Sequence, residues 1–173
     1  MADQRVSVAF ERVRRLPWWL AVVAVWGASR LVTTAILLSF AARQGENPWT
    51  SANPGYLDFA RLWDAHWYYI IAAVGYPDEI PRDENGLAGE NAWAFMPVYP
   101  ALIRFGMALT GDFSPQGFSA VAVTISVVAS LGAALLFCRL ARRWLTSGTA
   151  LLATALFCAA PLSPILQIGR AHV

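Results

Sequence analysis

The sequence predicts an all-α protein, a multi-pass transmembrane helical bundle with an external loop that bears interfacial helices. Three observations carry this prediction. Of the 173 residues, 57% are hydrophobic and only 14% are charged, with a mean hydropathy of +0.47, which is more apolar than an ordinary soluble domain. Three apolar stretches each reach the length of about 20 residues that a helix needs to cross a bilayer. Arginine clusters flank these stretches in a pattern that defines an orientation.

The predicted first span covers residues 17–42 and is interrupted only by Arg30. The second span covers residues 117–138 and the third covers 148–167, and neither contains a charged residue. A short turn at residues 139–147 joins them as an antiparallel hairpin. The sequence therefore predicts three membrane-spanning segments.

Short loops rich in arginine stay on the cytoplasmic side of a membrane. Residues 1–16 and the turn at 139–147 each carry such a cluster, so both are predicted to be cytoplasmic. Residues 43–116 hold nine acids against four arginines and are predicted to lie outside or in a lumen. The membrane is predicted to be a bacterial cell membrane, or the endoplasmic reticulum in a eukaryote. The two cytoplasmic clusters are Arg5, Arg12, Arg14 and Arg15, and Arg139, Arg142 and Arg143.

The external segment contains two predicted helices. The pattern over residues 56–74 favours a helix that ends at Gly75, with Pro77 beyond it. Residues 77–91 are charged and rich in turn formers, which predicts a loop. A second helix near residues 97–109 is too short to span a bilayer, so we place it at the membrane surface.

At the start of the second span, Ser114 is the expected N-cap and Pro115 the first helical residue. At the far end, residues 168–173, "IGRAHV", can be encoded by a widely used sequencing adapter. We therefore predict that this end is artefactual and that the natural chain continues as a larger bundle.

Asp64 is the residue that the apolar composition does not explain. In a continuous helix, Arg61, Asp64 and Tyr68 would share one face. One alternative is a surface ion pair between Asp64 and Arg61, which is worth little. Another is a divalent cation held by Asp58 and Asp64. His66, surrounded by aromatic residues, is either a packing residue or a ligand-binding one.

Arg30 raises the same question inside the first span, because a cation in the hydrocarbon layer is costly. It either pairs with a later helix for structure or lines a polar cavity and binds an anion such as a lipid phosphate. The tryptophans of the external segment either anchor the chain at the interface or stack against sugar rings. These are Trp63, Trp67 and Trp93.

Two stretches, "WDAHWYYIIAAVGYP" and "AFMPVYP", are separated by a charged loop and follow a span with an internal arginine. In this combination, over roughly residues 18–140, the chain resembles the PIG-V family of mannosyltransferases and its bacterial relatives, within the GT-C class of membrane glycosyltransferases. Met96 stands where the family pattern has a second aromatic residue.

The resemblance implies transfer of mannose or another hexose from a polyprenyl-phosphate carrier to a glycan, lipid or protein acceptor at the external face. Asp64 corresponds to the family's acid in the first external loop, and a carboxylate can act as the base for an attacking hydroxyl. Arginine forks match phosphate oxygens, so Arg30, Arg61 or Arg104 is expected to bind the leaving phosphate, and all three are candidate substrate-binding residues. We add His66, Trp67 and Tyr68 to the predicted substrate site.

Two other functions stay open from the sequence. The chain could be a non-catalytic membrane protein, such as an assembly partner or a transporter fragment. It could also transfer a group other than a sugar from a polyprenyl carrier. We expect membrane lipid as a partner and no nucleic acid, because the net charge of +2 averages two unlike compartments. No cofactor is predicted apart from the alternative of a divalent cation.

Overall fold

The computed structural model describes residues 17–48, 50–62 and 64–160. Every regular element in these ranges is helical, and the only β-pairing there consists of two isolated bridges, Asn47 with Thr50 and Arg82 with Ala88. The predicted all-α class is confirmed to this extent. The helices are α1 (Trp18–Ala41), α2 (Tyr56–Phe59), α3 (Ala65–Val74), a 3₁₀ turn (Ala92–Ala94), α4 (Val98–Thr110), α5 (Pro115–Ala141) and α6 (Ser147–Ala159).

Two of these helices, α1 with 24 residues and α5 with 27, are long and apolar enough to cross a membrane. The helix at the predicted third span, α6, has only 13 residues in the described part and ends at Ala159. Residues 161–167 of that predicted span lie outside the described residues. So do residues 1–16 with their four arginines, the predicted artefactual end at 168–173, and Trp63.

The chain divides into two compact units. Unit 1 comprises Met1–Ala35 and Ala129–Ser163, of which residues 17–35 and 129–160 are described. Unit 2 comprises Ile36–Val128 and Pro164–Val173, of which residues 36–128 are described except for 49 and 63. Each unit has apolar clusters of its own.

Unit 1 is held by an apolar cluster contributed by α1, α5 and α6. The indole Nε1 of Trp26 donates a hydrogen bond of 3.0 Å to the Oγ of Ser130. The rings of Phe137 and Phe157 stack with centroids 4.9 Å apart. The buried members of the cluster are Val22, Ala134, Cys138, Ala150 and Cys158.

In unit 2, the predicted continuous helix over residues 56–74 is wrong in its middle, because the chain leaves the helix between Phe59 and Ala65. The first piece buries Phe59 and the turn after it buries Leu62 in one apolar cluster, whereas the second piece buries Tyr68 in another. The two pieces serve different apolar surfaces, and the intervening turn lets each helix meet its own. The predicted end is confirmed, since Gly75 follows α3 with a φ of 93° that an L side chain rarely adopts.

Helices α3, α4 and α5 meet in the second cluster of unit 2. Gly106 permits a close contact there, because a Cβ at this position would come 2.5 Å from a methyl group of Val121. The start of α5 is as predicted: Pro115 is its first residue, and the Oγ of Ser114 accepts a hydrogen bond of 3.0 Å from the backbone of Gly117.

The charged loop between α3 and the 3₁₀ turn is closed at its base by two aromatic residues, Tyr76 and Trp93. Their ring centroids are 4.7 Å apart. The indole of Trp93 donates to the carbonyl of Pro77 at 3.0 Å, and the hydroxyl of Tyr76 donates to the carbonyl of Phe95 at 2.8 Å. We call these contacts the aromatic clasp, and they fix both ends of the loop.

Candidate functional site

Asp64 lies at the N-terminus of α3, where it is the N-cap residue and is half-buried. Its backbone carbonyl accepts hydrogen bonds from Trp67 and Tyr68, while its carboxylate makes no capping bond to its own helix. The break before α3 therefore moves Asp64 from the middle of a helix to a helix end. Helix N-termini favour negative charge, so the carboxylate is compatible with this apolar surrounding.

The ion pair predicted between Arg61 and Asp64 is not the one that the structure forms. Arg61 pairs with Asp58, with Nη2 and Oδ1 3.1 Å apart. The two residues are three apart across the end of α2. The Arg61 side chain is only 19% exposed, and its Nη1 is buried without a hydrogen-bond partner among the described residues.

The pairing of Asp58 with Arg61 weakens the alternative of a divalent cation between Asp58 and Asp64, because Asp58 already has a cationic partner. Within residues 17–160, apart from positions 49 and 63, no group of three or more His, Cys, Asp and Glu side chains could hold a metal ion. A two-carboxylate site stays a prediction.

The two sequence stretches that carry the family resemblance meet in space. Trp67 of α3 stacks on Phe95 with centroids 6.1 Å apart and an interplanar angle of 21°. Tyr68 makes edge contacts at 5.2 Å with both Phe95 and Tyr99. Trp67 lies three residues after Asp64, so it belongs to the same side of α3 as the carboxylate. The aromatic wall formed by Trp67, Tyr68, Phe95 and Tyr99 therefore adjoins the start of α3.

The predicted substrate-binding residues of this helix differ in exposure. Tyr68 is 5% exposed and packs inside the cluster, and its role in substrate binding stays a prediction. His66 and Trp67 are half-buried, with ring centroids 4.9 Å apart. These two residues can combine protein contacts with contacts to a ligand.

Arg30 is 7% exposed, and its Nη2 donates a hydrogen bond of 3.0 Å to the backbone carbonyl of Cys158 in the last turn of α6. The same nitrogen and Nε also contact the Oγ of Ser29, at 3.2 and 3.3 Å. The last carbonyls of a helix have no partners within it, and a cation there complements the helix dipole. The structure thus agrees with the alternative in which Arg30 pairs with a later helix.

Arg104 has an analogous role in unit 2. Its Nη1 lies 3.3 Å from the carbonyl oxygens of Ala72 and Ala73, which are in the last turn of α3. It therefore ties α4 to the end of α3. Arg30 belongs to unit 1, and Arg61 and Arg104 belong to unit 2. The role of each in binding a leaving phosphate stays a prediction.

Sequence reasoning placed Phe95 and Tyr99 in a motif but not in the site. The signal that could have found them was the motif itself, since both aromatic residues of "AFMPVYP" face the aspartate-bearing helix. Met96, the position that departs from the family pattern, is 79% exposed and takes no part in this wall.

Comparisons with protein-family models, with curated proteins and with solved structures found no match to this chain. The membrane character rests on the two long apolar helices, and the function rests on the site geometry.

Proposed function

We propose that this chain forms part of an integral-membrane glycosyltransferase that transfers mannose or another hexose from a polyprenyl-phosphate carrier to an acceptor. The reaction is placed at the external or lumenal face of a bacterial cell membrane or of the endoplasmic reticulum. One observation carries the proposal: the aspartate-bearing helix and the "AFMPVYP" stretch pack together through Trp67, Tyr68, Phe95 and Tyr99. Asp64 stays half-exposed at the start of that helix.

In the proposed reaction, Asp64 is the catalytic base. Its carboxylate takes the proton of an acceptor hydroxyl as that oxygen bonds to the anomeric carbon of the sugar. The bond from the anomeric carbon to the phosphate oxygen breaks, and polyprenyl phosphate leaves with the electron pair. A single displacement of this kind inverts the anomeric configuration and needs only one carboxylate.

The exposed surface of α4 supports a position at the membrane surface. Four apolar side chains, spaced by four, three and four residues, form one stripe, while the opposite side of α4 is buried in unit 2. Only residues 111–114 separate α4 from α5, a helix long enough to span the bilayer. A lipid carrier in the bilayer would reach the site at the membrane surface, beside α4. The stripe consists of Val98 (69% exposed), Leu102 (49%), Phe105 (64%) and Leu109 (73%).

Of the three arginines, Arg61 keeps the best case for donor binding, because its Nη1 has no acceptor among the described residues. A phosphate oxygen could satisfy this nitrogen once the covering side chains move. An N–H group buried without an acceptor is costly, which gives a reason for ligand binding there.

The test is Asp64→Asn in the full protein, assayed in membranes for transfer of labelled mannose from polyprenyl-phosphate mannose. We expect a loss of about 100-fold or more in turnover, the range for a general base. Asp78→Asn, an exposed acid in the charged loop, is the matched control and should keep full activity. Unchanged turnover in the Asp64 variant, at equal expression, would refute the catalytic assignment.

A second function, that of a non-catalytic membrane protein, is favoured by one observation. Arg30 and Arg104 are engaged with helix ends and Arg61 with Asp58, so all three have structural contacts. Under this alternative, Asp64→Asn would complement a deletion strain as well as the wild type. The exchange of Asp58 and Arg61 would also preserve function.

A further inference from the structure

The charge of unit 1 has one sign throughout its described part. Residues 17–35 and 129–160 contain four arginines and no aspartate or glutamate. Arg30 is buried against the carbonyl of Cys158. The other three lie at the end of α5 and in the turn that follows it, where all are exposed; we call Arg139, Arg142 and Arg143 the basic turn.

No carboxylate neutralises the basic turn within the described residues of unit 1. The guanidinium of Arg142 lies over the ring of Trp18, with its carbon 5.3 Å from the ring centroid. A cation over an aromatic face keeps its full charge and its outward N–H groups. Within the described part of unit 1, the basic turn therefore has no acidic partner, and the two acids of unit 1, Asp3 and Glu11, lie outside the described residues.

The position of the basic turn defines what can supply a counter-charge. It connects the long apolar helix α5 to the apolar helix α6, so it lies at a membrane surface if α5 spans the bilayer. Trp18 begins α1, and Trp144, in the turn itself, is 74% exposed. Tryptophan at such positions typically sits at the level of lipid headgroups.

From these observations we infer that the basic turn is a binding site for the phosphate headgroup of an anionic phospholipid. The three guanidinium groups supply charge and N–H donors that match phosphate oxygens. Trp18 and Trp144 hold the site at headgroup depth, and the acyl chains lie along the exposed apolar residues of α5 and α6. Basic clusters beside membrane spans recognise anionic lipids in this way. This site is independent of the proposed transferase activity.

The experiment measures lipid retained by the purified protein in native mass spectrometry after exchange into mixed micelles of phosphatidylglycerol and phosphatidylcholine. We expect the wild type to retain phosphatidylglycerol preferentially. In the triple variant R139Q/R142Q/R143Q, the preference for phosphatidylglycerol over phosphatidylcholine should fall at least about tenfold, because each basic residue near an anionic surface contributes to the attraction. Equal preference in the triple variant and the wild type would overturn the inference.

Removing three charges could also disturb insertion, so the single variant Arg143→Gln provides a second arm. It should lower the preference about fivefold while helical content by circular dichroism stays unchanged. The matched control is Arg82→Gln, which removes one exposed arginine from the charged loop and should leave the preference intact. An equal loss in both variants would show general charge attraction and contradict a defined site.

A final arm separates a lipid from a free anion. Inorganic phosphate, added at the same concentration as phosphatidylglycerol, should not displace the lipid, because only the lipid also contacts the apolar helices. Full displacement by inorganic phosphate would overturn the assignment to a phospholipid.

Discussion

The described parts of the two units use arginine differently. In unit 2, which contains nine acids, Arg61 forms an ion pair with a carboxylate three residues away. In the described part of unit 1, which has none, Arg30 uses a main-chain carbonyl and Arg142 uses an aromatic ring. The comparison teaches that the partner of an arginine is decided locally, since Arg104 of unit 2 contacts main-chain carbonyls as Arg30 does. Where no acid is present, a helix end or a ring replaces it.

The units also differ in the space around particular glycines. In unit 2, a Cβ added at Gly106 would lie 2.5 Å from Val121, and one at Gly117 would lie 2.5 Å from the carboxyl carbon of Asp112. In unit 1, a Cβ added at Gly27, Gly132 or Gly148 would meet nothing within 4 Å. Unit 2 has close contacts at Gly106 and Gly117, and no described glycine of unit 1 has one.

The largest effect is expected from Arg30→Leu, which tests the contrast in arginine partners between the two units. The substitution leaves the carbonyl of Cys158 buried without its donor, which should lower the free energy of unfolding by about 3 kcal/mol. Thermal or denaturant unfolding in detergent micelles measures it, and Arg30→Lys should recover part of the loss. A Leu variant as stable as the wild type would mean that relief of the buried charge outweighs the lost hydrogen bond.

The contrast in packing is tested by Gly106→Ala. The new methyl group would overlap Val121 and should cost about 1 to 3 kcal/mol of unfolding free energy. Gly132→Ala is the matched control in unit 1, where the same change has open space and should be neutral or slightly stabilising. Rescue of Gly106→Ala by a second change, Val121→Ala, would assign the loss to this contact, whereas no rescue would argue against it.

A smaller effect is expected from Arg104→Gln, because this arginine is exposed. Loss of its contacts with Ala72 and Ala73 should cost less than about 1 kcal/mol and increase fraying at the end of α3. Hydrogen exchange of the amides in the last turn of α3 measures the fraying. Protection there identical to the wild type would show that the arginine is not needed as a cap.

The smallest effect concerns Asp112, just before α5. Hydrogen bonds from Ser114 lower the pKa of the Asp112 carboxyl below its ordinary range. Its stabilisation is present above the ordinary aspartate pKa, about 4, and is lost as the pH falls through the lowered value. An NMR titration of the carboxyl should show this low pKa, and Ser114→Ala should raise it. An unshifted titration in the wild type would contradict the role of Ser114.

The local signals in the sequence predicted the helix ends well. Gly75 and Ser114 act within a few residues of their own positions, so their roles can be read without tertiary structure. The break before Asp64 could not be predicted this way, because it depends on Phe59 and Tyr68 joining different clusters. The partner of Arg30 is a backbone carbonyl 128 residues away, and a carbonyl has no signature in a sequence.

The candidate site was predicted to a similar extent. The sequence pointed to Asp64 and to the stretches "WDAHWYYIIAAVGYP" and "AFMPVYP". The structure brings these two stretches together. The Arg61–Asp64 ion pair was one alternative from the sequence, and the structure shows Arg61 paired with Asp58, which is also three residues away. The roles of these residues in transfer stay predictions.

The aromatic clasp of Tyr76 and Trp93 has a practical consequence for handling this protein. The clasp joins the two ends of the loop. Extra residues at the tip therefore add little to the entropic cost of closing the loop. An epitope inserted between Asn85 and Gly86 should leave α3 and α4 in place. Antibody access to that epitope in intact cells or sealed vesicles would then report which side of the membrane the loop occupies.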